Sequence, residues 1–148
     1  MEKGIHDLHS VLRYVIILLF IYAIFRCVNG MKGKNEFGNA DKKAGLFLTI
    51  ALDIQLLLGL FLYFKNKFYG LPMGDSVTRY WKIEHITGMI IAIVIAHVGN
   101  VMMKKKKDSH SKFKAGLVYF IISLVIILAT IPWPFRIEGI SRPLFPGM

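Results

Sequence analysis

Four long apolar runs, separated by short polar joints, dominate the hydrophobic pattern of this sequence. They cover about residues 11–28, 44–64, 83–103 and 115–133. Crossing the hydrocarbon core of a bilayer, which is about 30 Å thick, takes roughly 20 helical residues, and each run is close to that length. Glycine, asparagine and proline punctuate the joints, and Pro132 and Pro134 end the last run. The pattern therefore predicts an all-α protein, a single integral membrane domain of residues 1–148 folded as an up-down four-helix bundle.

Composition and charge support a membrane protein and exclude other classes. The chain has 148 residues, is 55% hydrophobic and carries 19 Lys and Arg against 9 Asp and Glu. A soluble domain has its charges spread along the chain, whereas here they flank the apolar runs. A disordered chain, a soluble globule and a disulfide-stapled secreted module are thereby excluded. The basic residues do not line one helix, so the partner they indicate is the lipid bilayer and not nucleic acid.

The basic residues also predict the orientation of the bundle. Eleven of them lie at the joints after the first and third runs, namely Arg26, Lys32, Lys34, Lys42, Lys43, Lys104, Lys105, Lys106, Lys107, Lys112 and Lys114. Seven lie at the opposite end, namely Lys3, Lys65, Lys67, Arg79, Lys82, Arg136 and Arg142. Because cytoplasmic joints are enriched in Lys and Arg, this distribution puts both termini outside the cytoplasm.

Two histidines open membrane spans from the same side. His9 lies at the start of the first run and His85 at the start of the third, so the two imidazoles lie at similar depth. In an up-down bundle these spans are diagonal, with axes about 13 Å apart if neighbouring axes are about 8–10 Å apart. A porphyrin iron with one imidazole from each helix fits such a gap, and imidazole is an axial ligand of haem iron.

Residues near these histidines fit a haem site and also fit a plainer interpretation. Gly88, Ala92, Ala96 and Gly99 share a helical face with His85, which leaves room for a macrocycle. Arg13 lies one turn below His9 and could pair with a haem propionate or with Glu84. Alternatively, the small residues are helix-packing contacts, the histidines are interfacial, and Arg13 and Glu84 form an ordinary ion pair.

Asp53 and His97 form a second predicted pair, deeper in the membrane. Counted at 1.5 Å per residue, their depths in the second and third spans agree within about one helical turn. A carboxylate facing an imidazole there could serve as a proton relay, a quinone contact or an orienting partner for a ligating histidine. It could equally be a buried pair that fixes helix register.

Several motifs resemble a known family. The motif that opens the first span is His9-Ser10 followed by Leu12-Arg13-Tyr14, and the second span contains Gln55-Leu56-Leu57-Leu58-Gly59-Leu60. The third span opens with Glu84-His85, and the fourth closes with Ile131-Pro132-Trp133-Pro134-Phe135-Arg136. Together they resemble the small four-helix bacterial inner-membrane proteins labelled cytochrome-b-like. The resemblance implies a non-covalent haem b with His9 and His85 as ligands to the iron. Covalent c-type attachment is excluded, since Cys27 is the single cysteine and no C-x-x-C-H is present.

Three functions follow as expectations. The leading one is a multi-pass haem b electron-transfer protein of the bacterial inner membrane, with bis-histidine ligation, Arg13 as a propionate partner, and quinone or a larger respiratory complex as its redox partner. The alternative is a cofactor-free accessory or structural subunit of a larger membrane complex. A second alternative is a small proton-coupled transporter that uses Asp53. An electron carrier or an accessory subunit is expected, and not a stand-alone enzyme.

Overall fold

The structure is a computed structural model that describes residues 2–146. It contains four long helices: α1 (Glu2–Lys32), α2 (Asn39–Lys65), α3 (Ser76–Lys105) and α4 (Ser109–Thr130). All four are long and apolar enough to cross a membrane, and no strand occurs in residues 2–146. The prediction of an all-α, four-span chain is confirmed at this level.

The helices are longer than the apolar runs, because hydropathy detects the membrane-facing part of a helix and not its ends. The first helix starts at residue 2, where the predicted run started at residue 11. The fourth starts at Ser109 because Asp108 caps it, with Oδ1 accepting a hydrogen bond of 2.8 Å from the backbone N–H of Ser111. It ends at Thr130, before the Pro132 and Pro134 that cannot continue a helix.

The four helices form a ring in chain order. The neighbouring pairs are α1 with α2, α2 with α3, α3 with α4, and α4 with α1. Consequently α1 and α3 face each other across the bundle, as the up-down prediction requires. This arrangement allows side chains from α1 and α3 to meet in the space between them.

The bundle is tightly packed on the side of α4 that faces α1 and α3. Phe20, Phe113 and Phe120 are almost completely buried, and the rings of Phe20 and Phe120 meet edge to face with centroids 6.4 Å apart. At the same end, Arg26 Nε donates to Asp41 Oδ1 over 2.7 Å and ties α1 to the start of α2. This packing closes one end of the molecule and leaves the other end for a site.

The small residues of α3 pack against α4, which corrects the expectation that they leave room for a macrocycle. A Cβ on Gly99 would lie 2.6 Å from Cβ of Tyr119, and one on Gly88 would lie 2.8 Å from Oγ1 of Thr130. Between them, Ser123 Oγ donates to the carbonyl of Ala92 over 2.7 Å. Since the backbones approach so closely, Gly88 and Gly99 leave no space for a ligand between α3 and α4, and the helix-packing alternative is correct for these small residues.

Candidate functional site

A cavity of about 320 Å³ lies between the helices at the end of the bundle where α1 begins and α4 ends. Its walls are mostly apolar and come from all four helices. The polar residues that line it include His6, His9, Arg13, Gln55, His85 and Arg142. A mostly apolar pocket with a few convergent polar groups is typical of a cofactor or small-molecule site, and the volume lies at the lower end of the usual range of about 300–1,000 Å³.

His9 and His85 line this one cavity, from opposite sides of the bundle. His9 comes from α1 and His85 from α3, which are the diagonal helices. A single turn of π-helix, Tyr80–Glu84, immediately precedes His85. Such turns insert one residue into a helix and often occur at functional sites. The turn shifts the helical phase, so that Tyr80 is buried while Trp81 and His85 both line the cavity.

The ring of His85 is held through its Nδ1 atom. Nδ1 lies 3.4 Å from the carbonyl oxygen of Thr130 and 3.3 Å from the Tyr80 hydroxyl, which itself donates to that carbonyl over 2.5 Å. A carbonyl only accepts, so Nδ1 bonds to Thr130 when it carries the proton. That tautomer leaves the lone pair on Nε2, the arrangement usual for a metal-ligating histidine.

The ring of His9 is held differently. Its Nδ1 is buried and has no hydrogen-bond partner among residues 2–146. Gln55 donates through Nε2 to the backbone carbonyl of His9 over 2.9 Å, and the Oε1 atom of the same Gln55 is also buried without a partner. Gly59, one turn further along α2, gives the ring its room, since a Cβ there would lie 3.1 Å from Cε1 of His9.

Arg13 lines the cavity but forms no salt bridge with Glu84, which was one of the two partners considered for it. Arg13 Nη2 donates to the carbonyl of Leu144 over 3.0 Å and to the Tyr14 hydroxyl over 3.1 Å. Glu84 instead accepts from Arg79 Nε over 2.5 Å at a half-exposed position. Because successive residues lie about 100° apart around a helix, Glu84 turns away from the cavity that His85 faces.

The segment after α4 folds back over the cavity. Trp81 Nε1 donates to the carbonyl of Gly139 over 2.8 Å, and the Arg142 guanidinium lies 4.5 Å from the centroid of the Trp81 ring. Gly139 has φ +87°, and a Cβ there would lie 2.9 Å from Val77, so the turn requires glycine. Burial lowers the pKa of Arg142 from its usual value, although the group stays charged at neutral pH.

The two cavity arginines have no acidic partner. Neither Arg13 nor Arg142 forms a salt bridge among residues 2–146. Both cations line the same cavity as the two imidazoles. A ligand that carries carboxylates near an otherwise apolar body would neutralise them.

Asp53 and His97 form the predicted contact, but on the outside of the bundle. His97 Nε2 lies 2.8 Å from Asp53 Oδ1, while the side chains are 42% and 52% exposed. The alternative in which this pair is buried between the helices of the chain therefore does not hold. His97 follows His85 by twelve residues, which turns it about 120° away around α3. The pair does not line the cavity, so it does not orient a ligand there.

The donor set suits haem better than a bare metal ion. No group of three or more His, Cys, Asp or Glu side chains converges in residues 2–146. Two imidazoles from opposite helices are enough for a bis-histidine haem. Arg13 and Arg142, which form no salt bridge among residues 2–146, would neutralise the carboxylates of such a group.

The sequence pointed to His9, His85 and Arg13 as site residues. It did not indicate that Gln55 and Gly59 hold and accommodate His9, that Tyr80 contacts His85, or that Arg142 lines the cavity. Gln55 and Gly59 are four residues apart and so share a helix face, a signal that was present in the sequence. Arg142 lies in a non-periodic segment that gave no such signal.

No protein-family model, curated protein or solved structure matches the chain. The resemblance to cytochrome-b-like membrane proteins therefore stays a prediction, and the case for a function rests on the geometry.

Proposed function

We propose that the protein binds one non-covalent haem b in this cavity, where His9 and His85 would hold its iron. The observation that carries the proposal is that two imidazoles on diagonal helices line one apolar cavity. Bound haem supplies a one-electron couple between ferric and ferrous iron. The protein is then an electron carrier of the membrane and not an enzyme in its own right.

The surrounding residues have defined roles in this proposal. The Thr130 carbonyl and the Tyr80 hydroxyl hold His85 in the tautomer that presents Nε2. Arg13 and Arg142 bind the two propionate groups, because both are cations without an acidic partner in the part of the chain described. Trp81, held by the carbonyl of Gly139, covers the cavity and limits access of water.

We place this site on the outer side of a bacterial inner membrane. The support is the charge distribution, since Lys104 to Lys107 and the other basic residues of the opposite end mark the cytoplasmic side. Electrons would be exchanged with quinone in the bilayer or with a larger respiratory complex.

Haem content tests the proposal directly. Purified protein, supplied with haemin during expression or afterwards, is expected to hold one haem per chain by pyridine haemochromogen assay. The His9→Ala and His85→Ala variants are expected to hold much less, while His110→Ala, outside the cavity, serves as the matched control. Wild-type protein that stays free of haem at saturating haemin would overturn the proposal.

A cofactor-free subunit of a membrane complex is the second candidate, because Asp53 and His97 lie on the exterior of the bundle, where a neighbouring protein would cover them. The proton-coupled transporter gains no support, since Asp53 does not line the cavity.

A further inference from the structure

Asp53 and His97 lie in the middle of an outward-facing apolar strip. We use "the α2–α3 seam" for Ile50, Asp53 and Leu57 of α2 together with Val94, His97 and Val101 of α3. The four aliphatic members are each more than 40% exposed, with Leu57 at 67%. They lie three or four residues from the polar pair, so they flank it on the same helix faces. The seam is thus a lipid-facing surface with one polar pair at its centre.

The pair lies at hydrocarbon depth. Asp53 follows Lys43 by ten residues and precedes Lys65 by twelve, which is about 15 Å and 18 Å of helix. His97 precedes Lys104 by seven residues, or about 10 Å. Ionisable side chains at such depth are costly when they face lipid, and they normally face protein or a water-filled cavity. A polar pair on the exterior therefore indicates a surface that another protein covers.

The pair has hydrogen-bonding capacity that its own chain does not use. One bond joins His97 Nε2 to Asp53 Oδ1, while His97 Nδ1 and Asp53 Oδ2 have no partner among residues 2–146. An uncompensated charge is the costliest state in hydrocarbon, so the pair is net neutral. Whichever residue holds the shared proton, a net-neutral pair keeps N–H on Nδ1 and an acceptor on Oδ2.

We propose that the α2–α3 seam is the interface of a homodimer, with its two-fold axis along the membrane normal. In such an interface the His97 Nδ1–H donates to Oδ2 of the partner's Asp53, and the partner's His97 donates back. A two-fold interface brings the same patch of both copies together. One free donor and one free acceptor at equal depth form such a self-complementary patch. A different partner would have to present its own matched donor and acceptor at this depth. The proposal is independent of haem binding.

Cysteine cross-linking in vesicles locates the interface. Leu57→Cys places a thiol on the seam, and Leu18→Cys, on the exposed face of α1, is the matched control at 65% exposure. Cys27 is buried and stays in place. With an oxidant, Leu57→Cys is expected to give a disulfide-linked dimer and Leu18→Cys is not. Monomer only, or cross-linking from α1 in place of the seam, would overturn the proposal.

Energy transfer between donor- and acceptor-labelled copies in vesicles tests the hydrogen bonds. The Asp53→Leu/His97→Leu double variant is expected to weaken dimerisation about tenfold or more, since each interhelical polar bond in a membrane contributes modestly. The swapped variant Asp53→His/His97→Asp keeps one donor and one acceptor per copy and is expected to restore dimerisation. Equal dimerisation of all three proteins would contradict the pairing, and helix content by circular dichroism checks that each variant folds.

Discussion

Two histidines of the same helix have opposite surroundings. His85 lines a cavity between four helices, and its Nδ1 is held by the Thr130 carbonyl and the Tyr80 hydroxyl. His97 lies twelve residues further along α3 on the outer surface, where its Nε2 contacts Asp53. Both are ionisable groups in a helix that is long and apolar enough to cross a membrane, yet one faces a cavity inside the bundle and the other lies on its outer surface.

The difference shows that the depth of a residue along a span and the direction in which its side chain points are independent of each other. Counting residues along a span gives depth, and on that basis the Asp53–His97 contact was predicted and is confirmed. The direction in which a side chain points around the helix is harder to predict, because an error of one residue in the helix register rotates the predicted direction by about 100°. A polar residue in a span indicates function only when both are known.

The largest effect is expected from filling the cavity while the exterior pair stays intact. Gly59→Leu would place a side chain against the ring of His9, where even a Cβ would lie 3.1 Å from Cε1. We expect haem binding to be abolished in a haemin titration followed at the Soret band. Gly70→Leu is the control, since nothing lies within 4 Å of a Cβ there. Full haem content in Gly59→Leu would mean that the ligand lies elsewhere.

Much of the fold could be predicted because its determinants are local. Four apolar runs of spanning length, short joints and two prolines suffice for the helix count and for an up-down order. The sequence did not establish that α1 and α3 are diagonal, which the contacts between the helices show. The spacing along the chain put His9 and His85 at the same end of the bundle, and the structure shows that they line one cavity.

The remainder depends on features without a periodic signal. The π-helical turn Tyr80–Glu84 shifts the phase of α3, and it decides which of Trp81, Glu84 and His85 reach the cavity. The segment after α4 covers the site through Gly139 and Arg142, although nothing in its composition indicates where it returns. Gly88 and Gly99 of α3, which were expected to leave room for a macrocycle, instead allow α3 to pack closely against α4.

A smaller effect on haem is expected from the support of His9. Gln55→Leu removes the donor to the backbone carbonyl of His9. A hydrogen bond contributes about 0.5–1.5 kcal/mol net, so a shift of His9 that follows the loss of this bond would weaken haem binding about tenfold at most. The affinity for haemin should fall by that order, whereas Asp53→Asn, on the exterior two residues away, should leave it unchanged. Equal affinities in Gln55→Leu and wild type would show that Gln55 plays no part in holding the ligand.

A substitution where α3 packs against α4 should affect the stability of the protein more than its binding of haem. Gly99→Ala puts a Cβ 2.6 Å from Cβ of Tyr119, which cannot move without its backbone. Overpacking of this kind costs about 1–3 kcal/mol, so the unfolding temperature in detergent should fall. Gly4→Ala, with nothing within 4 Å of the added carbon, is the control. An unchanged unfolding temperature would argue against close contact between α3 and α4.

The smallest effect on stability is expected from a substitution of Asp108, which lines neither the cavity nor the α2–α3 seam. The backbone N–H of Ser111 bonds to its carboxylate and lowers the pKa of Asp108 below the ordinary value of 3.8. A lowered pKa in the folded state means that the carboxylate stabilises the protein at neutral pH and that this contribution is lost as the pH falls through the folded pKa. Asp108→Ala should therefore unfold at a slightly lower temperature at pH 7, and the difference should shrink toward pH 3. A difference that grew on acidification would contradict the cap.

The comparison of the two histidines is tested most directly by the reduced-minus-oxidised visible spectrum of the purified protein. Wild type and His97→Ala are expected to show the sharp α band of low-spin haem b, and His9→Ala and His85→Ala are expected to lose it. If wild type takes up haem and His97→Ala alone loses the band, the cavity is not the site. If all four proteins lack a Soret band after haemin is added, the chain is not a cytochrome.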